Sequence, residues 1–290
     1  MKSTSRFARS WRLAKDSWAI LKADRSLLAF PVVGSISALI AFAIVVGPGV
    51  GIAAASDTAW IALPFAFVAL YVTTFVTIYF GVGLAAAAGQ VMDGQDATLK
   101  SGLAAARPHT GKIAKWALVQ ATVGLVLNIL QSLAESDNGL VRIIGLLVTL
   151  LVSVAWTLAS FFVIPLLAFE GLGPGDALKR STAMIKQHWG ESVIGSAAIG
   201  GIVFLAGFLP ACLLVFLGIA AGGPALYGMI AVAAIIVVIA AVVGNTLNQV
   251  FRVALYRFVT GQGETPGFAT EDLQHAFRPK GRRGAGSATA

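Results

Sequence analysis

Long apolar stretches alternate with short polar segments along the chain, and this alternation predicts its architecture. The hydrocarbon core of a bilayer is about 30 Å thick, so a helix needs about 20 apolar residues to cross it. The stretches are too long and too uniformly apolar for the alternating strands of a membrane β-barrel. They predict transmembrane helices at residues 27–55, 60–89, 113–133, 140–169, 192–221 and 225–251. The pattern therefore predicts an all-α polytopic membrane protein with six transmembrane helices and an integral membrane domain over residues 1–260.

A polar segment with helical periodicity precedes each pair of predicted membrane helices. These segments cover residues 5–22, 96–107 and 176–189. In the first, aromatic residues share one helix face and basic residues lie off it, which is typical of a helix in the headgroup plane. The alternative is a helix packed on protein. The candidate membrane-surface residues are Phe7, Arg9, Trp11, Arg12 and Trp18, with Trp189 in the third segment.

Two of these polar segments share a short stretch of sequence that indicates an internal repeat. Asp-Ala, Leu-Lys and Ser recur between residues 96–101 and residues 176–181, with an offset of one position. Repeats of this kind mark units that pack side by side. We interpret the chain as three repeats of a cytoplasmic amphipathic helix followed by a transmembrane hairpin.

Lysine and arginine concentrate on one side of the predicted membrane domain. They fill the N-terminal segment, the two longer loops and the C-terminal segment, whereas the short loops on the other side carry only Arg142. Cytoplasmic loops carry the excess of lysine and arginine in membrane proteins. The bias predicts that both termini are cytoplasmic in a bacterial plasma membrane, with residues 261–290 as a basic and largely disordered tail.

Composition agrees with lipid as the main solvent. The 290 residues are 57% hydrophobic and only 12% charged, whereas soluble domains carry about 25% charged residues. The net charge of +8 clusters around the apolar stretches, which favours anionic lipids as partners over nucleic acid. Cys212 has no second cysteine with which to form a disulfide within the chain.

The residues that normally carry catalysis are scattered. His109, His188 and His275 each stand alone in a predicted cytoplasmic segment, and none has the spacing of a metal site. No nucleophile motif or phosphate-binding loop is present. We therefore expect a non-enzyme without a metal or cofactor.

Amide side chains form two polar faces within the predicted membrane helices. They are Gln120, Asn128 and Gln131 in the third helix and Asn245, Asn248 and Gln249 in the sixth, with Arg252 at the inner end of the second face. Amides in lipid need hydrogen-bond partners, so both faces should point to protein or water. They either bond neighbouring helices or line a crevice. Their similar depth predicts that Gln120 lies close to the Asn245–Gln249 face.

Three stretches resemble a known family. They cover residues 9–33, 161–192 and 245–268, and the most specific is FRVALYRF at residues 251–258. The chain resembles an uncharacterised integral-membrane family common in actinobacteria. It is more distantly similar to the membrane domain attached to some glycerophosphodiester phosphodiesterases. The resemblance implies six helices in a bacterial plasma membrane and supplies no catalytic residues, because the phosphodiesterase chemistry belongs to a separate soluble domain.

Two functions remain open at this point. The first is a non-catalytic plasma-membrane protein that binds lipid or partner proteins in envelope organisation, as the basic amphipathic segments indicate. The alternative is a permease or channel-like protein for a small or amphiphilic solute, as the amide faces indicate.

Overall fold

A computed structural model describes most of the membrane domain. The described residues are 18, 20–22, 24–56, 60, 62–135, 137–187, 200–201 and 203–261. Most of the predicted surface helix at residues 5–22, Trp189 and the tail from residue 262 lie outside them. The regular structure of the described residues is helical throughout.

Eight α-helices form the framework of this part of the chain. The first begins after a 3-10 turn at Arg25–Leu28, and a π-helix at Phe204–Phe208 leads directly into the seventh. The bounds are α1 Ala29–Ser56, α2 Ala62–Met92, α3 Leu99–Ala106, α4 Thr110–Ala134, α5 Gly139–Ala159, α6 Pro174–Gln187, α7 Leu209–Ala221 and α8 Gly223–Val259.

Six helical segments in the described part are long and apolar enough to cross a membrane. This confirms the predicted number. Their bounds are Arg25–Ser56, Leu63–Met92, Leu99–Ser132, Gly139–Glu170, Phe204–Ala221 and Gly223–Val259. The last continues eight residues beyond the predicted end at residue 251, because the apolar and aromatic residues of 253–258 still favour a helix that packs on its neighbours. The third joins α3 to α4 through a 3-10 turn at Arg107–His109.

The outer faces of these helices are apolar, as expected for contact with lipid. Leu39, Leu151 and Phe216 are about two-thirds exposed. Large exposed apolar surface is rare on soluble proteins. The chain is therefore a multi-pass membrane protein, whereas its orientation and the three-unit repeat remain predictions.

The buried core lies at one end of the bundle, around the charged ends of the helices. Helix α2 is central there and packs against α1, α3, α4 and α8. Gly102 permits the close contact of α3 with α2, because a Cβ at this position would lie 2.6 Å from the carbonyl oxygen of Gly83 and 2.5 Å from the ring of Phe30. Thr98 caps α3 through the backbone N–H of Ser101.

The fourth span is not one continuous α-helix. Helix α5 ends at Ala159, the chain turns at residues 160–162, and a single turn at Val163–Pro165 leads into a π-helix at Leu166–Glu170. The buried N–H of Phe162 donates to the hydroxyl of Ser181 on α6 at 3.0 Å. Irregular backbone at membrane depth requires such internal partners. The break brings α6 against the end of the bundle that holds the core.

Candidate functional site

The charged end of the bundle contains a tightly bonded corner. Arg257 near the end of α8 forms an ion pair with Asp93, and its Nη1 donates to the carbonyl of Gly89 at 3.3 Å. Glu170 accepts a hydrogen bond from the Tyr256 hydroxyl at 2.8 Å and forms an ion pair with Arg180 at 3.0 Å. These bonds join the ends of α2 and α8 and the middle of α6 to the fourth span. We call this group the locked corner.

Arg252, five positions earlier on α8, has a different environment. Its guanidinium carbon lies 5.0 Å from the centre of the Phe161 ring. Its Nε is fully buried and has no hydrogen-bond partner. No carboxylate forms an ion pair with Arg252 in the part of the chain that the structure describes. The break in the fourth span places Phe161 here, so the irregular backbone positions the face on which the cation rests.

A crevice of about 130 Å³, lined by both polar and apolar groups, opens beside Arg252. Its walls are α1, α2, α8 and the irregular part of the fourth span. Polar groups from three helices face it, and apolar side chains such as Phe30, Phe80 and Ile164 complete the walls. The polar lining residues are Ser35, Thr77, Asn245, Gln249 and Arg252. We call it the Arg252 crevice.

The polar lining differs in depth. Gln249 is buried, with 5% of its surface exposed. Its side-chain nitrogen Nε2 donates a hydrogen bond to the carbonyl of Gly81 at 3.2 Å, and its side-chain oxygen takes no part in this bond. Ser35, Thr77 and Asn245 are exposed and therefore form the mouth. The Thr77 hydroxyl donates to Thr73 in its own helix at 2.8 Å. The crevice thus runs from an open polar mouth to a partly buried cation whose Nε is fully buried.

The first amide face has partners other than those expected. The side-chain oxygen of Gln120 accepts a hydrogen bond from the indole N–H of Trp156 at 2.7 Å. Trp156 in turn stacks on Trp116, with ring centres 5.7 Å apart. Gln120 is therefore satisfied within the α4–α5 pair, whereas Gln249 bonds α2. The structure does not bring the two faces together at the described contacts, because a nearer indole supplies the donor.

The remaining amides lie on the surface or bond their own helix. Asn128 and Gln131 are exposed near the far end of α4. Asn248 donates to the carbonyl of Gly244 at 3.0 Å, within α8. Only Asn245 and Gln249 of the six predicted residues line the crevice.

Little of the predicted membrane-surface set falls within the described part of the chain. Trp18 is described and is 41% exposed, whereas Phe7, Arg9, Trp11, Arg12 and Trp189 lie outside it. Interfacial contact of these residues stays a prediction.

Arg252 itself was not among the predicted site residues. The sequence placed it at the end of the second amide face but did not single it out as a binding residue. Its spacing of three and seven positions from Gln249 and Asn245 already placed it on their helix face. Among the described residues, no three His, Cys, Asp or Glu side chains are grouped as a metal site.

Comparison with known proteins identifies the family without a function. No curated protein and no solved structure matches the chain. The actinobacterial distribution and the distant similarity to phosphodiesterase membrane domains stay predictions. A profile described as a family of unknown function (DUF6159) matches residues 58–267, which is most of the chain. The protein therefore belongs to the DUF6159 family of unknown function.

Proposed function

We propose that this protein is a non-catalytic membrane protein that binds anionic lipid at its charged end, as a contribution to envelope organisation. In the proposed orientation this end faces the cytoplasmic leaflet of a bacterial plasma membrane. The observation that carries the proposal is the excess of exposed cations at this end over carboxylates available to pair with them.

Three of the five described carboxylates at the charged end are engaged by the protein itself, whereas Asp96 and Asp176 are exposed. Asp93 pairs with Arg257, and Glu170 pairs with Arg180 and Tyr256. Asp24 accepts hydrogen bonds from two backbone N–H groups, those of Ser26 and Ala97. These acids therefore hold helices together instead of neutralising the surface.

Many of the cations remain exposed. Lys100, Arg107 and Lys115 lie exposed on α3, the following turn and α4, without a carboxylate partner in the described part of the chain. Each lysine or arginine near an anionic membrane surface contributes about 1 kcal/mol of attraction. At the opposite end, described charges are limited to Glu135, Asp137 and Arg142. The asymmetry favours an anionic leaflet at one end only.

Lipid retention by the purified protein tests the proposal. Native mass spectrometry would compare phosphatidylglycerol with phosphatidylcholine of matched acyl chains, at low and high ammonium acetate. We expect preferential retention of phosphatidylglycerol, which weakens as salt screens the exposed cations. A variant carrying K100Q, R107Q and K115Q should lose several-fold of this preference, whereas R142Q at the other end should keep it. Equal retention of both lipids by the wild-type protein would contradict the proposal.

A second candidate function is a permease for a small or amphiphilic solute. The specific observation that favours it is the broken fourth span beside a polar crevice, since interrupted helices often mark solute sites in transporters. In a C212S background, a cysteine at position 245 would be challenged with a membrane-impermeant thiol reagent from each side of a proteoliposome. Labelling from both sides supports a permease, with the lipid-facing position 129 as the control. Labelling from one side only, or from neither, argues against it.

A further inference from the structure

We propose that the Arg252 crevice binds the anionic headgroup of one amphiphile per chain, through a phosphate or carboxylate group. This inference rests on the proposed function and deepens it: it assigns a specific, stoichiometric site in addition to diffuse attraction at the surface.

The first argument is the missing counter-charge of Arg252. A cation in a membrane protein normally pairs with an acid or with backbone carbonyls, because an unpaired buried charge is costly. The Phe161 ring attracts a cation, but such contacts contribute only about 0.5–2 kcal/mol. The buried Nε has no acceptor among the described residues. An anionic ligand at the part of Arg252 that lines the crevice would supply the missing counter-charge.

The second argument is the type of groups around Arg252. A guanidinium presents donors in a planar fork that matches the oxygens of phosphate and carboxylate. The Asn245 amide and the Ser35 hydroxyl lie in the same crevice and have no protein hydrogen bond among the described residues. Among the described residues no carboxylate lines the crevice, so none of these lining groups repels an anion. The lining therefore selects against cations and favours an oxyanion.

Size is compatible with a headgroup. The crevice of about 130 Å³ is much larger than the roughly 10–15 Å³ that a single ordered water requires. It is far too small for a whole phospholipid. Only the charged group of an amphiphile would enter, and its chains would remain outside.

The depth of Arg252 agrees with a lipid headgroup. Helix α8 has 37 residues and is about 55 Å long at 1.5 Å per residue. The hydrocarbon core is about 30 Å thick, so each end extends about 12 Å beyond it when the excess is shared equally. Arg252 lies seven positions before Val259, which is about 10 Å from the helix end. It therefore sits near the boundary between headgroups and acyl chains.

The surface next to the mouth suits acyl chains. Ile36 and Leu39 on α1 flank the mouth residue Ser35 and are 53% and 69% exposed. They continue along α1 away from the charged end. A lipid whose headgroup reached Arg252 would lay its chains on this apolar face. A free anion would make no contact with that apolar face, so we infer that the ligand is an amphiphile.

The experiment compares R252Q with the matched control R142Q, which removes an exposed arginine at the opposite end. Delipidated full-length protein in neutral detergent would be titrated with phosphatidylglycerol, phosphatidylcholine or inorganic phosphate, with native mass spectrometry and thermal unfolding as readouts. We expect one tightly retained phosphatidylglycerol per chain in the wild-type protein and R142Q. R252Q should bind it about tenfold more weakly or worse, because charge-assisted hydrogen bonds are lost. R252K should recover only part of the affinity.

A variant at the mouth of the crevice provides a second test if R252Q is not monodisperse. S35L fills the mouth without touching the cation and should also release the tightly retained lipid. If R252Q retains phosphatidylglycerol as well as the wild-type protein does, the proposed site is wrong. Where R252Q is not monodisperse, unchanged retention by S35L has the same meaning. Equal retention of phosphatidylcholine overturns its anion selectivity, and equal stabilisation by inorganic phosphate overturns the choice of an amphiphile. If the wild-type protein prefers anionic lipid and R252Q retains that lipid equally well, the proposed site is wrong but the proposed function is still supported. If the wild-type protein shows no preference, both fail.

Discussion

Two arginines on one helix have opposite surroundings. Arg257 pairs with Asp93 and donates to the carbonyl of Gly89. Arg252, five positions deeper, rests on the Phe161 ring, and its buried Nε has no partner. Both belong to α8 and both face the charged end of the bundle. The difference lies in what the neighbouring helices present to each of them.

The comparison separates a structural cation from one that is available for binding. Asp93 stands at the end of α2, where a carboxylate remains half-exposed to water and is inexpensive to keep charged. At the depth of Arg252, α1 and α2 present hydroxyl and apolar groups instead. A chain that placed an acid there would fill the site permanently. Leaving it open lets a ligand from outside provide the anion.

The largest expected loss of stability comes from G102A, which would disturb the packing of α2 and thus the surroundings of both arginines. The new Cβ would meet Phe30 and the carbonyl of Gly83, so α3 must move away from α2. Overpacking of this kind costs about 1–3 kcal/mol. Thermal unfolding in detergent should show the loss. The control is G47A on α1, where no atom lies within 4 Å of the added Cβ; equal melting of the two variants would disprove the close contact.

S181A should weaken the support of Arg252. The buried N–H of Phe162 would lose its acceptor, at a cost of about 2 kcal/mol, and the adjacent Phe161 ring would be less firmly held. We expect a lower melting temperature and weaker retention of phosphatidylglycerol. T182A is the matched control, because that hydroxyl bonds Leu178 within its own helix. Lipid retention equal to that of T182A would show that the break does not position the cation.

R257M and R252M should change stability in opposite directions in neutral detergent. R257M removes an ion pair whose carboxylate is half-exposed, so the loss should be no more than about 1 kcal/mol. R252M removes a desolvated charge and should raise the free energy of unfolding by about 1 kcal/mol. Added phosphatidylglycerol should then stabilise R257M but no longer stabilise R252M. Melting curves with and without lipid measure both effects, and a change of the same sign in both variants would remove the distinction.

The smallest effect on stability is expected from the two asparagines. N248A removes a hydrogen bond within α8 and should change the free energy of unfolding by less than about 0.5 kcal/mol, with lipid retention unchanged. N245A should be equally mild for stability, since this side chain is exposed, yet it should reduce phosphatidylglycerol retention several-fold. Native mass spectrometry distinguishes them. Identical retention by both variants would remove Asn245 from the site.

The hydrogen-bond partners of the amides show where prediction from sequence stopped. Spacing along a helix grouped Asn245 and Gln249 on one face, and both line the crevice. It did not identify Trp156 as the partner of Gln120, because an indole N–H on another helix becomes the nearest donor only after α4 and α5 pack together. The break at residues 160–162 was equally hidden, since its sequence is as apolar as the helix around it.

The sequence by itself determined the membrane class, the number of spans and the concentration of basic residues at one side. These properties depend on the length, apolarity and charge of each segment, because insertion into lipid is decided by the composition of the segment itself. Tertiary structure alone decided that Arg257 is paired, that Arg252 is not, and that a crevice opens beside it. Those facts depend on which groups of distant helices meet at one depth. Helix packing in lipid is governed by close contact and hydrogen bonding and not by apolarity. The hydropathy of the sequence therefore does not predict which helices meet.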